Sequence, residues 1–150
     1  MRPGGLYYSG EPESGVFFHP YPYQALDPRT HAPASTRFFQ VVNEVLLARG
    51  IQPSVNRIYT HLQNTGAFNN IESQIIYIPI GRWHHDPTMK GLGSAFQAIL
   101  RRFADSVKPM LLRAGYSQAF VDALSRNFGD EIDTTQGMFC IYHVVEALKS

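Results

Sequence analysis

The apolar positions of this chain recur with a helical period in four stretches. In each stretch, spacings of three and four residues place the apolar side chains on one face of a helix. Glycines and prolines supply the boundaries of these stretches. The predicted helices run from Ser35 or Thr36 to about Arg49, from Pro53 to Gly66, from about Met89 to Val107 with Pro109 kinking or ending it, and from near Ser117 through Phe128.

Three other stretches have the composition of strands. Leu6–Ser9 is short and rich in residues that favour strands, and Ile71–Ile80 is β-branched and apolar up to Pro79. The run from Gly137 to Glu146 is almost uninterruptedly apolar, as expected for a strand that is buried on both faces. Because helices separate these strands, the pattern predicts an α/β fold.

Residues 10–34 form a long predicted connector between the first strand and the first helix. Five prolines punctuate it, and several aromatic rings lie between them. Loops of more than about 15 residues in compact domains are functional or disordered. Disordered segments are poor in aromatic residues, so the rings favour a packed loop, interpreted as a lid over a substrate.

Composition narrows the class of protein. A chain of 150 residues with 44% hydrophobic residues and 17% charged residues fits one globular domain, residues 1–150, with a substantial core. The net charge is +1 and no basic stripe is present, which argues against a nucleic-acid partner. Cys140 is the single cysteine, so an intrachain disulfide and a thiolate metal cluster are excluded. Without an apolar run of about 18 residues or a signal-like start, neither a membrane partner nor secretion is predicted, and a cytoplasmic location is expected.

One segment resembles a known family. Residues 78–93 are similar to the P-I-G-x-W-x-x-D-P-x-x-K-x-x-G segment of fungal secondary-metabolism methyltransferases, class I enzymes that depend on S-adenosylmethionine. The matching positions are Pro79, Ile80, Gly81, Trp83, Asp86, Pro87, Lys90 and Gly93. Residues 64–72 resemble the entry to the sixth strand of these enzymes, and residues 1–5 resemble the turn before their fifth strand. The resemblance extends over essentially the whole chain and is weakest at 10–34.

The resemblance implies a truncated class I methyltransferase-like (Rossmann-like) fold. It would comprise about three strands in a mixed sheet with four helices, and the last strand would lie antiparallel between the other two. The glycine-rich turn that holds the cofactor in such folds is expected after a strand. Here Gly91 and Gly93 lie within a helical pattern instead. The chain therefore resembles the C-terminal half of the family, and no cofactor is predicted for it.

The absence of the other strands predicts an exposed sheet edge. The turn at Arg2–Gly5 has little chain before it to reverse, which suggests a lost upstream segment. An unpaired edge strand is a site of association. We therefore expect a homodimer or a separate partner chain at this edge.

The resemblance also indicates candidate site residues, since the segments after the fifth and sixth strands of the family reach over the acceptor substrate. The candidate catalytic residues are Arg82, His84, His85 and Glu11. The candidate substrate-binding residues are Tyr8, Phe17, Phe18, His19, Tyr21, Tyr23 and Trp83. For each of these rings, plain packing is the alternative interpretation.

Other polar groups receive less specific predictions. Adjacent histidines point in different directions, which disfavours a metal site at His84 and His85. His61 is predicted to be exposed, and His143 and Cys140 are predicted to be core residues, the thiol being inert.

Three functions share this predicted fold. The first is a repurposed methyltransferase-like protein of natural-product biosynthesis, a cyclase or isomerase that binds an apolar intermediate and catalyses a cofactor-independent cyclisation or pericyclic step. Such a step needs a shaped apolar site and one or two polarising donors. The second is a fragment or split half of a methyltransferase. The third is a non-catalytic partner subunit of a methyltransferase.

Overall fold

A computed structural model of the protein describes residues 1–18, 26–52 and 57–150. The strands are β1 (Leu6–Pro12), β2 (Phe17–Phe18), β3 (Phe68–Pro79) and β4 (Met138–Lys149). The helices are α1 (Pro28–His31), α2 (Pro33–Ala48), α3 (Ile58–Thr65), α4 (Pro87–Arg113) and α5 (Gln118–Thr134). The mixed α/β class is confirmed. Three strands and four helices are predicted, whereas the described residues form four strands and five helices. The additional strand β2 and the additional helix α1 both lie in the predicted connector 10–34.

The sheet is built around β4. β1 and β2 pair with one side of β4, and β3 pairs with its other side. All three pairings are antiparallel, so β1 and β3 run parallel to each other with β4 reversed between them. The predicted central position of the last strand is therefore confirmed. The prediction of a mixed sheet is wrong for the described residues. Their hydrogen-bonded strand pairs are all antiparallel, because the two strands that run parallel, β1 and β3, are not neighbours.

Alternation along β4 divides the sheet into two faces. We call the side that carries Phe139, Ile141 and His143 the front face, and the side that carries Cys140 and Tyr142 the back face. Residues directly opposite one another in neighbouring strands share a face. The register therefore assigns every residue of β1, β2 and the regular part of β3 to one of the two faces.

Helices cover only part of each face. On the back face, α2, α4 and α5 pack against the start of β4 around Met138, and stacked Phe38 and Phe128 rings lie at their centre, 4.2 Å between centroids. On the front face, α3 packs its Leu62 against Val145 and Ala147 near the other end of β4. The prediction that β4 is buried on both faces thus holds for its first residues and not for its middle.

The first turn of α2 is capped from a distant part of the chain. The helix begins at Pro33, two or three residues before the predicted Ser35 or Thr36, and its N-cap Ala32 has no capping side chain. The Glu131 carboxylate of α5 accepts hydrogen bonds from the amides of Ala34 and Ser35 at 3.1 and 2.6 Å. A carboxylate supplied by another helix satisfies the amides that a local Ser or Thr cap would satisfy.

Three other boundaries differ from the predictions or lie partly outside the described residues. α4 continues through Pro109 to Arg113, because one proline removes one helical hydrogen bond and this one lies on an exposed side. β3 begins at Phe68, with an irregular register between Asn69 and Glu72. The predicted start at Pro53 lies outside the described residues, whereas Gly66 ends α3 as predicted and has a left-handed conformation. Within the described part of the chain, no helix is both long and apolar enough to cross a membrane.

Candidate functional site

The loop that joins β3 to α4 is fixed by two glycines. The amide of Gly81 donates to the carbonyl of Gly93 at 3.1 Å. A Cβ on Gly93 would lie 2.1 Å from the Gly81 carbonyl oxygen, so a side chain at position 93 is excluded. Gly81 itself has a φ of +93°, which favours glycine. This close approach presses the first turns of α4 against the end of β3 and sets the path of residues 82–86.

Trp83 is anchored by this loop. Its indole Nε1–H donates to the Ile80 carbonyl at 2.9 Å. The edge of its ring meets Phe139 of β4, with centroids 5.0 Å apart and an interplanar angle of 89°. Phe139 also contacts Tyr77 of β3, 6.4 Å between centroids. Trp83 is predicted to bind substrate, with plain packing as the alternative, and these contacts fix the position of its ring.

His84 and His85 continue the group with stacked rings, 4.5 Å between centroids. His84 Nδ1 accepts the Asp86 amide hydrogen at 3.1 Å, which assigns the proton of the neutral ring to Nε2. Burial, and after it the charge of His85, lowers the pKa of His84. His84 is therefore neutral near pH 7 and carries its N–H on the nitrogen away from the backbone. Asp86 caps α4 through the Met89 amide at 2.9 Å, so its position has a structural explanation.

A second polar pair lies further along the front face. His143 Nε2 and the Glu13 carboxylate are 2.8 Å apart. His143 is 13% exposed at its side chain and Glu13 27%, so the pair is largely shielded from water. His143, predicted to be a core residue, is partly buried and has Glu13 as its hydrogen-bond partner. Glu11, a candidate catalytic residue, is exposed, and the carboxylate that meets His143 belongs to Glu13 two residues later.

The Trp83–His84–His85 group and the His143–Glu13 pair lie at opposite ends of an apolar surface. We call it the front strip and define it by Phe139, Ile141 and His143 of β4, with Tyr77 and Ile75 beside them on β3. Phe139 and His143 are four residues apart, which corresponds to roughly 14 Å along a strand. Ile75 and Tyr77 are exposed. The front strip thus combines an apolar floor with a Trp–His group at one end and a Glu–His pair at the other.

The remaining predicted residues are dispersed. Arg82 is exposed and lines a groove of about 340 Å³, which Trp83, Gln97 and the end of α5 also line. Tyr8 is exposed on the back face opposite Glu146, so the sheet separates it from Trp83. Phe18 lies opposite Met138 and is buried in the helical core, where its role is packing.

Of the predicted early aromatic residues within the described chain, Tyr8, Phe17 and Phe18, only Phe17 joins the front face. It lies directly opposite Phe139 in the pairing of β2 with β4, and it is half-buried. His19, Tyr21 and Tyr23 lie outside the described residues. Cys140 is buried as predicted, and burial, with a further contribution from Glu13, raises the pKa of its thiol to about 12.

Sequence reasoning missed Glu13, Tyr77 and Phe139 as site residues. The alternation Phe139, Ile141, His143 was available as a signal, because residues two apart in a strand share a face. The pairing of that face with Tyr77 and Glu13 depends on the register, which the sequence does not specify.

Comparison with known proteins supplies no family. A scan against protein-family models finds no match, and a search of curated proteins finds no significant match. Among the described residues, no group of three or more His, Cys, Asp or Glu side chains has the geometry to hold a metal ion. The chemistry of the site is therefore argued from its own geometry.

Proposed function

We propose that this chain binds a small, largely apolar molecule on the front strip and holds it for a reaction that uses no bound cofactor, such as a cyclisation or pericyclic step of natural-product biosynthesis. The observation that carries the proposal is the front strip itself, an apolar surface exposed at Ile75 and Tyr77, with polar groups at its two ends. Sites for small molecules are mostly apolar with a few placed polar groups.

The polar groups suit a reaction that needs orientation and polarisation. The neutral His84 ring carries a donor at Nε2, and the His143–Glu13 pair supplies an imidazole with an adjacent carboxylate. Neither group is a nucleophile next to a strong base. A substrate held between the two ends would have its conformation restricted by the floor and its polar atoms hydrogen-bonded at one end.

A fluorescence titration tests this proposal. Trp83 is the only tryptophan, so its emission reports on one end of the front strip alone. Farnesol, an uncharged acyclic prenyl alcohol, is a suitable probe because it has an apolar body and one hydroxyl. We expect a saturable change in Trp83 emission with farnesol and none with S-adenosylmethionine. Calorimetrically measured tight binding of S-adenosylmethionine by this chain would overturn the cofactor-independent proposal.

A second candidate is a split half or partner subunit of a methyltransferase. It is favoured by the arrangement of β1, β4 and β3, which is the one the family resemblance implies, and by the uncovered back face, where Leu6 is 63% and Tyr8 60% exposed. A partner chain or a second copy would cover this surface. Size-exclusion chromatography with light scattering tests it, since a stable monomer at micromolar concentration contradicts self-association through this surface.

A further inference from the structure

Among the described residues, a cavity on the back face shares only Glu13 with the front strip and the polar groups at its ends. It has a volume of about 220 Å³ and lies between the turn that follows β1 and the helices α2 and α4. Its wall on the sheet side is Cys140, whose side chain projects from the face of β4 opposite to that of Phe139. An inference about this cavity therefore does not rest on the function proposed above.

The walls of the cavity are almost wholly apolar. Three phenylalanine rings and two branched aliphatic side chains dominate the lining: Phe39, Phe96, Phe103, Ile99 and Leu100. Phe39 and Phe103 have nearly parallel rings, with centroids 6.3 Å apart and an interplanar angle of 19°.

The polar groups nearby do not offer a site for an ion. Because burial raises the pKa of Cys140 to about 12, its thiol is neutral and acts as a small apolar group. The Glu13 carboxylate, which also lines the cavity, is engaged by His143. A cation would find the only carboxylate of the described lining already paired with His143, and an anion would lose its hydration and be repelled by Glu13.

We propose that this cavity is a binding site for an uncharged aromatic ring. Its volume lies between that of a 150 Å³ apolar cavity, which accepts benzene, and the roughly 300 Å³ at which sites for drug-sized ligands begin. The phenylalanine rings favour an aromatic occupant, since aromatic pairs gain stability in edge and offset geometries. Ile99 is 56% exposed and forms part of the lining, so it is at the mouth of the cavity.

Toluene and benzoate provide the test, because they are similar in size and shape and differ in charge. In methyl-labelled protein, toluene is expected to produce saturable shifts of the Leu100 methyl resonances, and benzoate at the same concentrations is expected to produce none. The comparison uses unaltered protein, so no folding defect complicates it. The absence of a saturable toluene shift, or an equal response to benzoate, would overturn the proposal.

A pair of variants on α4 locates the site. Ile99→Trp should block the mouth and weaken toluene binding at least tenfold. Leu92→Trp is the matched control, because Leu92 is also an exposed aliphatic residue of α4, at 42%, and does not line the cavity. Toluene affinity is expected to stay within twofold of wild type in this control. Equal toluene affinity in both variants would show that the ring binds elsewhere.

Discussion

Gly93 of α4 lies so close to Gly81 that the Gly81 amide donates to the Gly93 carbonyl at 3.1 Å and leaves no room for a side chain between them. This contact joins the end of β3 to the first turns of α4. The loop that carries Trp83 and His84 begins at Gly81, so its path depends on the contact. Stability and site geometry are therefore linked at this point.

The first prediction concerns that contact. Gly93→Ala would place a Cβ 2.1 Å from a backbone oxygen, so we expect a loss of at least about 2 kcal/mol in the free energy of unfolding. Gly91→Ala is the control on the same helix, because a Cβ there meets nothing within 4 Å. Alanine favours a helix over glycine, so Gly91→Ala should stabilise by roughly 0.5–1 kcal/mol. Urea denaturation measures the unfolding free energy of both variants. Equal changes in the two variants would refute the close packing of Gly93 against Gly81.

The second prediction concerns the cap of α2. Glu131→Gln keeps the size of the side chain but removes the charge that two α2 amides contact, and we expect it to cost about 1 kcal/mol of unfolding free energy. Asp130→Asn, at an exposed neighbouring position, should leave stability within about 0.5 kcal/mol of wild type. Thermal unfolding of both variants measures these differences. If Glu131→Gln had the same unfolding free energy as wild type, the Glu131 carboxylate would make no contribution to stability as a cap of α2.

The third prediction concerns pH. The pKa of His84 in the folded protein is below the ordinary value of 6.5, so folding favours its neutral form. The stabilisation is complete above about pH 6.5 and is lost as the pH falls through the lowered pKa of His84. Between pH 7 and pH 5, His84→Gln should therefore lose less stability than wild type. A His61→Gln variant, altered at an exposed histidine of α3, should follow the wild-type profile.

The fourth prediction concerns Cys140. A thiol with a pKa of about 12 has little thiolate at pH 8, so its reaction with iodoacetamide should be about a thousandfold or more slower in the folded protein than in the chain unfolded in urea. Mass spectrometry after timed quenching measures both rates. Comparable rates would contradict both the burial of Cys140 and its raised pKa.

Periodicity predicted most of the secondary structure, because apolar spacing follows directly from helix and strand geometry. The α4 helix shows where it was insufficient. Local rules ended this helix near Pro109, whereas the packing of Leu111 in the core sustains it to Arg113. The start of α2 is a similar case, since its cap is a carboxylate from α5, 97 residues from Ala34 in the chain.

The candidate site was predicted in part for a related reason. Trp83 and His84 were accessible to sequence reasoning because one continuous segment carries them. The partners Phe139 and Glu13 come from distant strands, and their placement depends on the register of β4. A shift of one residue in a register exchanges the two faces of a strand. Tyr8, predicted as a substrate-binding residue, lies opposite Glu146 on the back face, away from Trp83.

Two neighbouring isoleucines of β3 distinguish binding of a small apolar molecule on the front strip from binding elsewhere on the sheet. Ile75 lies on the front face opposite His143, and Ile76 lies on the back face opposite Tyr142. They are 52% and 37% exposed, so serine at either position leaves the core intact. In farnesol titrations followed by Trp83 emission, we expect Ile75→Ser to weaken farnesol binding about tenfold and Ile76→Ser to leave it within twofold of wild type. Equal farnesol affinities in the two variants, or no saturable binding by the wild-type protein, would contradict binding on the front strip.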